Sequence, residues 1–145
     1  MTAPTPLEED TSFLLARASA LAVHAANEAL APHDLRVRPY AVLALSAGAE
    51  PPTQRELADH LRLDPSQIVA LVDELESRGL VRRSPHPSDR RTRVVGITEA
   101  GTELLSRAEP DVRDAEKRRT AGLSAEQRRQ LTSLLRVIAF SVSSD

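Results

Sequence analysis

The chain has 145 residues, with 19 lysines and arginines against 21 acids, four histidines and no cysteine. The missing cysteine excludes disulfides, thiolate zinc sites, catalytic thiols and thiol redox sensing. Only 2% of residues are aromatic, so helices must pack through Ala, Leu and Val, and the length suits one domain, or a compact domain whose helical extensions find their core in a partner.

The start, MTAPTPLEED, is acidic and proline-interrupted where a signal peptide is cationic then apolar. No apolar run approaches the roughly 18 residues of a membrane span, so a soluble, cytoplasmic protein without a membrane partner is expected. Residues 1–6 read as a frayed tail. Leu14, Ala18, Leu21, Ala22, Ala25 and Ala29 form one stripe of a first helix from about Leu7 to Leu30, ended by Pro32. A second helix, with Tyr40, Val42 and Leu43, starts near Pro39 and breaks at Gly48 and the Pro51-Pro52 pair. Thr53-Gln54-Arg55-Glu56 fits a capping box that opens a short helix to about Leu61. Three residues later, Asp64-Pro65-Ser66-Gln67 supplies an N-cap acid, a first-turn proline and a reciprocal glutamine for a helix that Gly79 stops after Arg78.

Two short helices joined by a tight turn form the helix-turn-helix arrangement that sends its second helix into the major groove of DNA. Ile68, Leu71, Val72 and Leu75 make the buried stripe of that second helix, which leaves Ser66, Ala70, Asp73 and Ser77 opposite, flanked by Gln67 and Val69. Small side chains let the backbone approach base edges; Gln67 can pair with adenine and Val69 can touch a thymine methyl. An ordinary solvated face has the same composition, so the helix alone does not decide.

The segment after the helix decides it. From Arg78 to Arg93 there are six arginines and one aspartate, a local charge of +5 in a chain whose other residues sum to −7. Phosphate neutralisation needs such a patch and does not need a basic protein, so the net charge of −2 is no objection. Leu80-Val81 and Val94-Val95-Gly96-Ile97 supply strand formers for a hairpin wing, while Ser84-Pro85-His86-Pro87-Ser88 is expected to interrupt the ladder. Asp89 lies beside Arg90 and Arg91 and can hold one guanidinium extended towards a narrow minor groove. Arg90 and Arg82 or Arg83 are then expected on phosphates, with Arg93 in the same patch.

LADHLRLDPSQIVALVDELESRGLVRRSPHPSDRRTRVVGITEAG resembles the winged helix-turn-helix core of MarR-type transcriptional regulators. Its most specific parts are the Leu71-Val72-Asp73-x-Leu75-Glu76-x-x-Gly79-Leu80-Val81 run, Asp89-Arg90-Arg91, and Thr98-x-x-Gly101. The resemblance implies a mainly α fold with a small β-hairpin wing, one unit over 1–145, with a DNA-binding part at 37–98 and a dimerisation part at 7–31 plus 99–143. It also implies an obligate homodimer on a pseudo-palindromic operator, and an Asp89 that orients Arg91 for the minor groove. Val69 and Ala70 stand where family members often carry Thr or Ser and then a basic residue, so base preference cannot be copied from a relative.

Independently of the resemblance, Ser124-Ala125-Glu126-Gln127 is another capping box, and Leu131, Leu134, Leu135, Ile138 and Val142 repeat at helical spacing. Helices from Thr98 to about Arg119, with Pro110 expected to kink the first, and from Ser124 to about Val142 join Leu14 and Leu21 of the first helix in presenting more apolar surface than a wing-sized domain covers. Self-association is expected, the alternative being a monomeric bundle.

His24, His33, His60 and His86 are isolated and no His-x-x-x-His spacing occurs. Glu8, Glu9 and Asp10 could gather near a histidine only across a dimer, so no metal and no cofactor is assigned. No glycine-rich phosphate loop or nucleophile elbow is present, which argues against an enzyme. The resemblance implies a small effector, often aromatic or anionic, between winged domain and dimer helices, for which Arg17, His24, His33, Tyr40 and Leu43 are candidates. The expected function is a ligand-responsive, DNA-binding repressor. The alternative is a winged-helix module for a protein partner, which salt dependence separates.

Overall fold

The first helix begins at an aspartate cap, not at Leu7. Asp10 Oδ1 accepts the Phe13 N–H at 2.7 Å to open α1 (Thr11–Leu30), while Pro6–Glu9 form a separate 3-10 turn in which Glu8 accepts the Thr5 N–H at 2.6 Å. The computed structural model describes residues 5–141; the first four residues and Val142 lie outside the described residues. After a 3-10 turn at Ala31–His33, α2 (Val37–Ser46) starts two residues before Pro39, because Asn27 Oδ1 on α1 accepts the Val37 N–H at 2.9 Å.

The helix-turn-helix consists of α3 (Gln54–Leu61) and α4 (Pro65–Ser77). At the start of α3, Thr53 Oγ1 accepts the Glu56 N–H at 3.1 Å and Glu56 accepts the Thr53 N–H at 2.8 Å, as the sequence predicts. The turn itself uses no glycine: Arg62 takes the left-handed conformation, φ 54°, and lets Leu63 donate back to the Ala58 carbonyl at 3.1 Å. Helix α4 ends in a Schellman arrangement, with Gly79 at φ 72° and the Leu80 N–H on the Leu75 carbonyl at 2.9 Å.

Strand β1 (Val81–His86) pairs antiparallel with β2 (Asp89–Ile97), Val81 opposite Ile97 and Pro85 opposite Arg93. The ladder therefore runs through Ser84, Pro85 and His86, which corrects the expected interruption. The register shifts between Pro85 and His86, where a missing donor costs least. Thr53 bridges Val94, and the Pro52 carbonyl accepts the Val95 N–H at 2.7 Å, so the wing base is fastened to the start of α3.

Helix α5 (Glu99–Arg119) leaves the wing through Thr98, whose hydroxyl donates to the Gly79 carbonyl at 2.6 Å and accepts the Gly101 N–H at 3.1 Å. A Cβ on Gly101 would collide with the Leu80 carbonyl oxygen, so the Thr98-x-x-Gly101 spacing is a packing requirement. Helix α5 continues through Pro110 as one element. Leu30, Val42, Leu43, Leu57, Ile68, Val72, Leu75 and Val95 are fully buried, and Leu104, Leu105 and Ala108 of α5 close the same core.

Outside that core the pattern inverts. Helix α6 (Ala125–Phe140) buries no residue and α1 buries only Leu30. Leu14, Leu21, Leu131, Leu134, Leu135 and Ile138 are all exposed, Leu134 by 64%. The sole ring contact among the described residues sets Phe140 against His60 of α3, centroids 5.5 Å apart.

Candidate nucleic-acid interface

Burial of Ile68, Val72 and Leu75 turns the other side of α4 outwards, and Ser66, Gln67, Val69, Ala70 and Asp73 are all exposed on it. Two of these side chains have local duties. Gln67 Oε1 accepts the Asp64 N–H at 3.1 Å, closing the first turn of α4, so its amide oxygen is not free for a bidentate adenine contact. Asp73 Oδ1 accepts from Arg83 Nη2 at 2.6 Å.

Arg83 is the point at which the wing is fixed to the recognition helix. Its Nη1 meets Glu76 Oε1 at 2.9 Å, its Nε donates to Gln54 Oε1 at 2.8 Å, and its own N–H donates to Glu76 Oε2 at 2.8 Å. One guanidinium thereby ties β1 to both α3 and α4, with its side chain only 15% exposed. Bonds from the Arg83 backbone and then its guanidinium hold the Glu76 carboxyl below its ordinary value of 4.5. The expectation that Arg83 reads phosphate is corrected: each of its three guanidinium nitrogens already donates to a partner inside the protein. The spacing signal was available, since Asp73 and Glu76 share a helix edge beside β1, but Gln54 lies 29 residues away.

Arg82, Arg90, Arg91 and Arg93 remain exposed on the wing, and among the described residues none of them forms an ion pair. Asp89 does not grip a guanidinium. Its Oδ1 accepts the Arg91 N–H at 3.0 Å and its Oδ2 the Thr92 hydroxyl at 3.3 Å, so it shapes the backbone that presents Arg91. The wing tip is thus a turn held by Asp89 that carries exposed cations, suited to a phosphate-lined groove.

The effector candidates are not brought together. Leu43 is fully buried, which corrects its placement beside a ligand. Arg17 is exposed, and His24 sits 3.5 Å from Glu28 on the α1 surface. His33 Nε2 lies 2.6 Å from Asp111, joining the α1–α2 turn to α5. Tyr40 is half-buried near Glu109 and Arg113, and burial, followed by the Glu109 charge, pushes its phenol up from 10.0. A cleft of about 810 Å³ instead opens between α1, the start of α2 and α4, lined by Val23, Leu35 and Leu71 together with Arg36 and Arg38. Its acids Asp34 and Glu74 face Arg78 at 3.6 and 4.0 Å, while among the described residues Arg36 and Arg38 form no ion pair. The Arg-x-Arg run before Pro39 was the sequence signal for it.

A second, largely apolar cleft of about 750 Å³ separates α1, α5 and α6, with Leu15, Ala22, Val112, Leu131 and Leu135 in its walls. Among the described residues no group of three or more His, Asp or Glu is placed to hold a metal, and no helix is long and apolar enough to cross a membrane.

Comparison with known proteins accords with this geometry. A family model described as MarR family matches residues 39–92. The HTH-type transcriptional repressor NicR of Pseudomonas putida is 36% identical over 86 residues, which is 59% of this chain and 54% of NicR, so the chain spans about half the length of that relative. The HTH-type transcriptional repressor Mb2911 of Mycobacterium bovis is 30% identical over 85% of this chain and 88% of its own. CouR from Rhodococcus jostii RHA1, solved bound to p-coumaroyl-CoA, is 43% identical over 98% of this chain and 100% of that chain, with a TM-score of 0.88. CouR solved bound to a 23-mer DNA duplex aligns at TM-score 0.86 with 32% identity, covering 96% and 99%. A MarR-family transcriptional regulator from Rhodococcus sp. RHA1 is 42% identical over 96% of this chain and 99% of that chain, with a TM-score of 0.89, and with this and the family-model match the chain belongs to the MarR family.

Proposed function

We propose that this chain is a homodimeric, sequence-specific DNA-binding repressor released from its operator by a small anionic effector. The observation that carries the reading is the pairing of an outward α4 face with a wing whose Arg82, Arg90, Arg91 and Arg93 have no acidic partner among the described residues. The division into a winged part at 37–98 and a dimerisation part at 7–31 plus 99–143 follows from it, since exposed leucines concentrate on α1 and α6. A two-fold dimer meets the same groove face twice, so half-sites lie about 10 base pairs apart, centre to centre. The reading as a non-enzyme in the cytoplasm rests on this role.

The effector reading rests on the cleft at Arg36 and Arg38. Apolar walls beside two guanidinia that have no acidic partner among the described residues suit an amphiphilic anion, and CouR is bound to one, p-coumaroyl-CoA. Fluorescence anisotropy with the DNA upstream of the gene, across a salt series, tests the reading. Operator affinity that falls linearly in log salt, with release by an aromatic acyl-CoA and resistance to release in Arg36→Ala/Arg38→Ala, is expected. Salt-independent capture of a protein with no DNA binding would replace the repressor by a protein-interaction module.

A further inference from the structure

Among the described residues, the large apolar side chains left in solvent lie on α1, on α6 or on the turn before α1, with one exception. Val69, 40% exposed, stands on the outward face of α4. The homodimer reading covers α1 and α6 and gives Val69 no role. Ser66, Ala70 and Asp73 around it are all exposed, and positions 66, 69, 70 and 73 stack as one stripe at helical spacing along α4. Every side chain on that stripe is short, so the helix backbone can come close to the surface it meets.

The polar groups of this face are spent or unselective. The Gln67 oxygen accepts the Asp64 N–H at 3.1 Å, and Asp73 Oδ1 accepts from Arg83 Nη2 at 2.6 Å. Ser77 donates its hydroxyl to the Glu74 carbonyl at 2.7 Å. Ser66 offers a hydroxyl, which both donates and accepts and therefore suits any base edge or a phosphate alike. Besides its donors and acceptors, the major groove carries one apolar mark, the 5-methyl group of thymine. Val69 is complementary to that mark and to no hydrogen-bonding edge, while the exposed Arg82, Arg90, Arg91 and Arg93 of the wing supply the charge that draws a phosphate backbone.

Resting on the repressor reading, we infer that α4 reads its half-site through a thymine 5-methyl group packed on Val69, with the small Ser66 and Ala70 letting the groove approach. A cytosine in that place sets its amino group against the valine, and a purine sets its N7 there, so each wrong base loses water from a polar group without gaining a partner. A two-fold dimer makes the contact in both half-sites, so the discrimination counts twice.

Fluorescence anisotropy with the DNA upstream of the gene, prepared once with thymine and once with uracil throughout, isolates the methyl, because uracil keeps every hydrogen-bonding group of thymine. Burial of one methyl group is worth roughly fourfold in affinity, so uracil in both half-sites should weaken wild-type binding on the order of tenfold. Val69→Ala, a change that an exposed helical position accepts, should bind the thymine duplex about as weakly as the wild type binds the uracil one and should not distinguish the two. Arg91→Ala, weaker on both, should keep the wild-type ratio. A wild type that binds neither duplex sinks the repressor reading and this inference with it. A wild type that binds both alike overturns the methyl readout and leaves the repressor standing. A ratio that survives in Val69→Ala also overturns it, since the methyl groups then act through the shape of the duplex.

Discussion

Arg83 on the first strand of the wing meets Asp73 on α4 at 2.6 Å, and the wing and α4 are thereby held at a fixed angle. Glu76 and Gln54 complete the hold from α4 and α3. Because a largely buried guanidinium has few conformers to lose and three acceptors to satisfy, this network is stiffer than an exposed pair.

Arg83→Ala should therefore destabilise the fold by about 1 to 2 kcal/mol, discounted for the exposure of both carboxylates, and weaken DNA binding while leaving its salt slope unchanged. Urea denaturation and salt-dependent titration read the two effects separately. A slope that drops by about one would return Arg83 to the phosphates.

The same network predicts a pH response. Glu76 titrates below 4.5 in the folded chain, so its contribution is fully present above about 4.5 and is lost as pH falls through the lowered value. The Arg83 amide resonance, followed by NMR, should shift with an inflection below 4.5, and Glu76→Gln should abolish that inflection. An inflection at or above 4.5 would show that the carboxylate gains nothing from Arg83.

Caps and periodicity made most of the fold legible in the sequence. The Thr53 box, the Asp64 to Gln67 turn, the Gly79 stop and the Ser124 box each satisfy backbone donors or acceptors locally, within a few residues. What escaped depends on distant partners: Asn27 moved the start of α2, Gln54 and Asp73 captured Arg83, and Pro52 drew Val95 into a third short pairing. The wing arginines were legible as a group, but charge counting cannot tell a donor consumed inside the protein from one left in solvent.

Gln67 separates cap from contact. Its carbonyl oxygen holds the Asp64 N–H, so Gln67→Ala should cost about 1 kcal/mol of stability and weaken binding to all operator variants alike. Gln67→Glu keeps the acceptor and should recover the stability in thermal denaturation. A loss confined to one base pair per half-site would show that Gln67 leaves its cap to pair with adenine.

Asp89 acts on Arg91 through the backbone, and this sets the outcome of changing either. Arg91→Ala should lower operator affinity by about 1 to 3 kcal/mol and relax the preference for narrow A/T-rich flanks, whereas Arg90→Ala and Arg82→Ala should mainly lower the salt slope by about one each. Asp89→Ala removes the acceptor that positions the Arg91 N–H at 3.0 Å and should reproduce part of the Arg91 loss, although it removes a negative charge beside DNA. Asp89→Asn retains an oxygen for that bond and should bind close to wild type or better. Long-range electrostatics alone predicts tighter binding by both variants, so titration of the pair across salt decides: tighter binding by Asp89→Ala would show that the aspartate only repels phosphate and does not shape the wing tip.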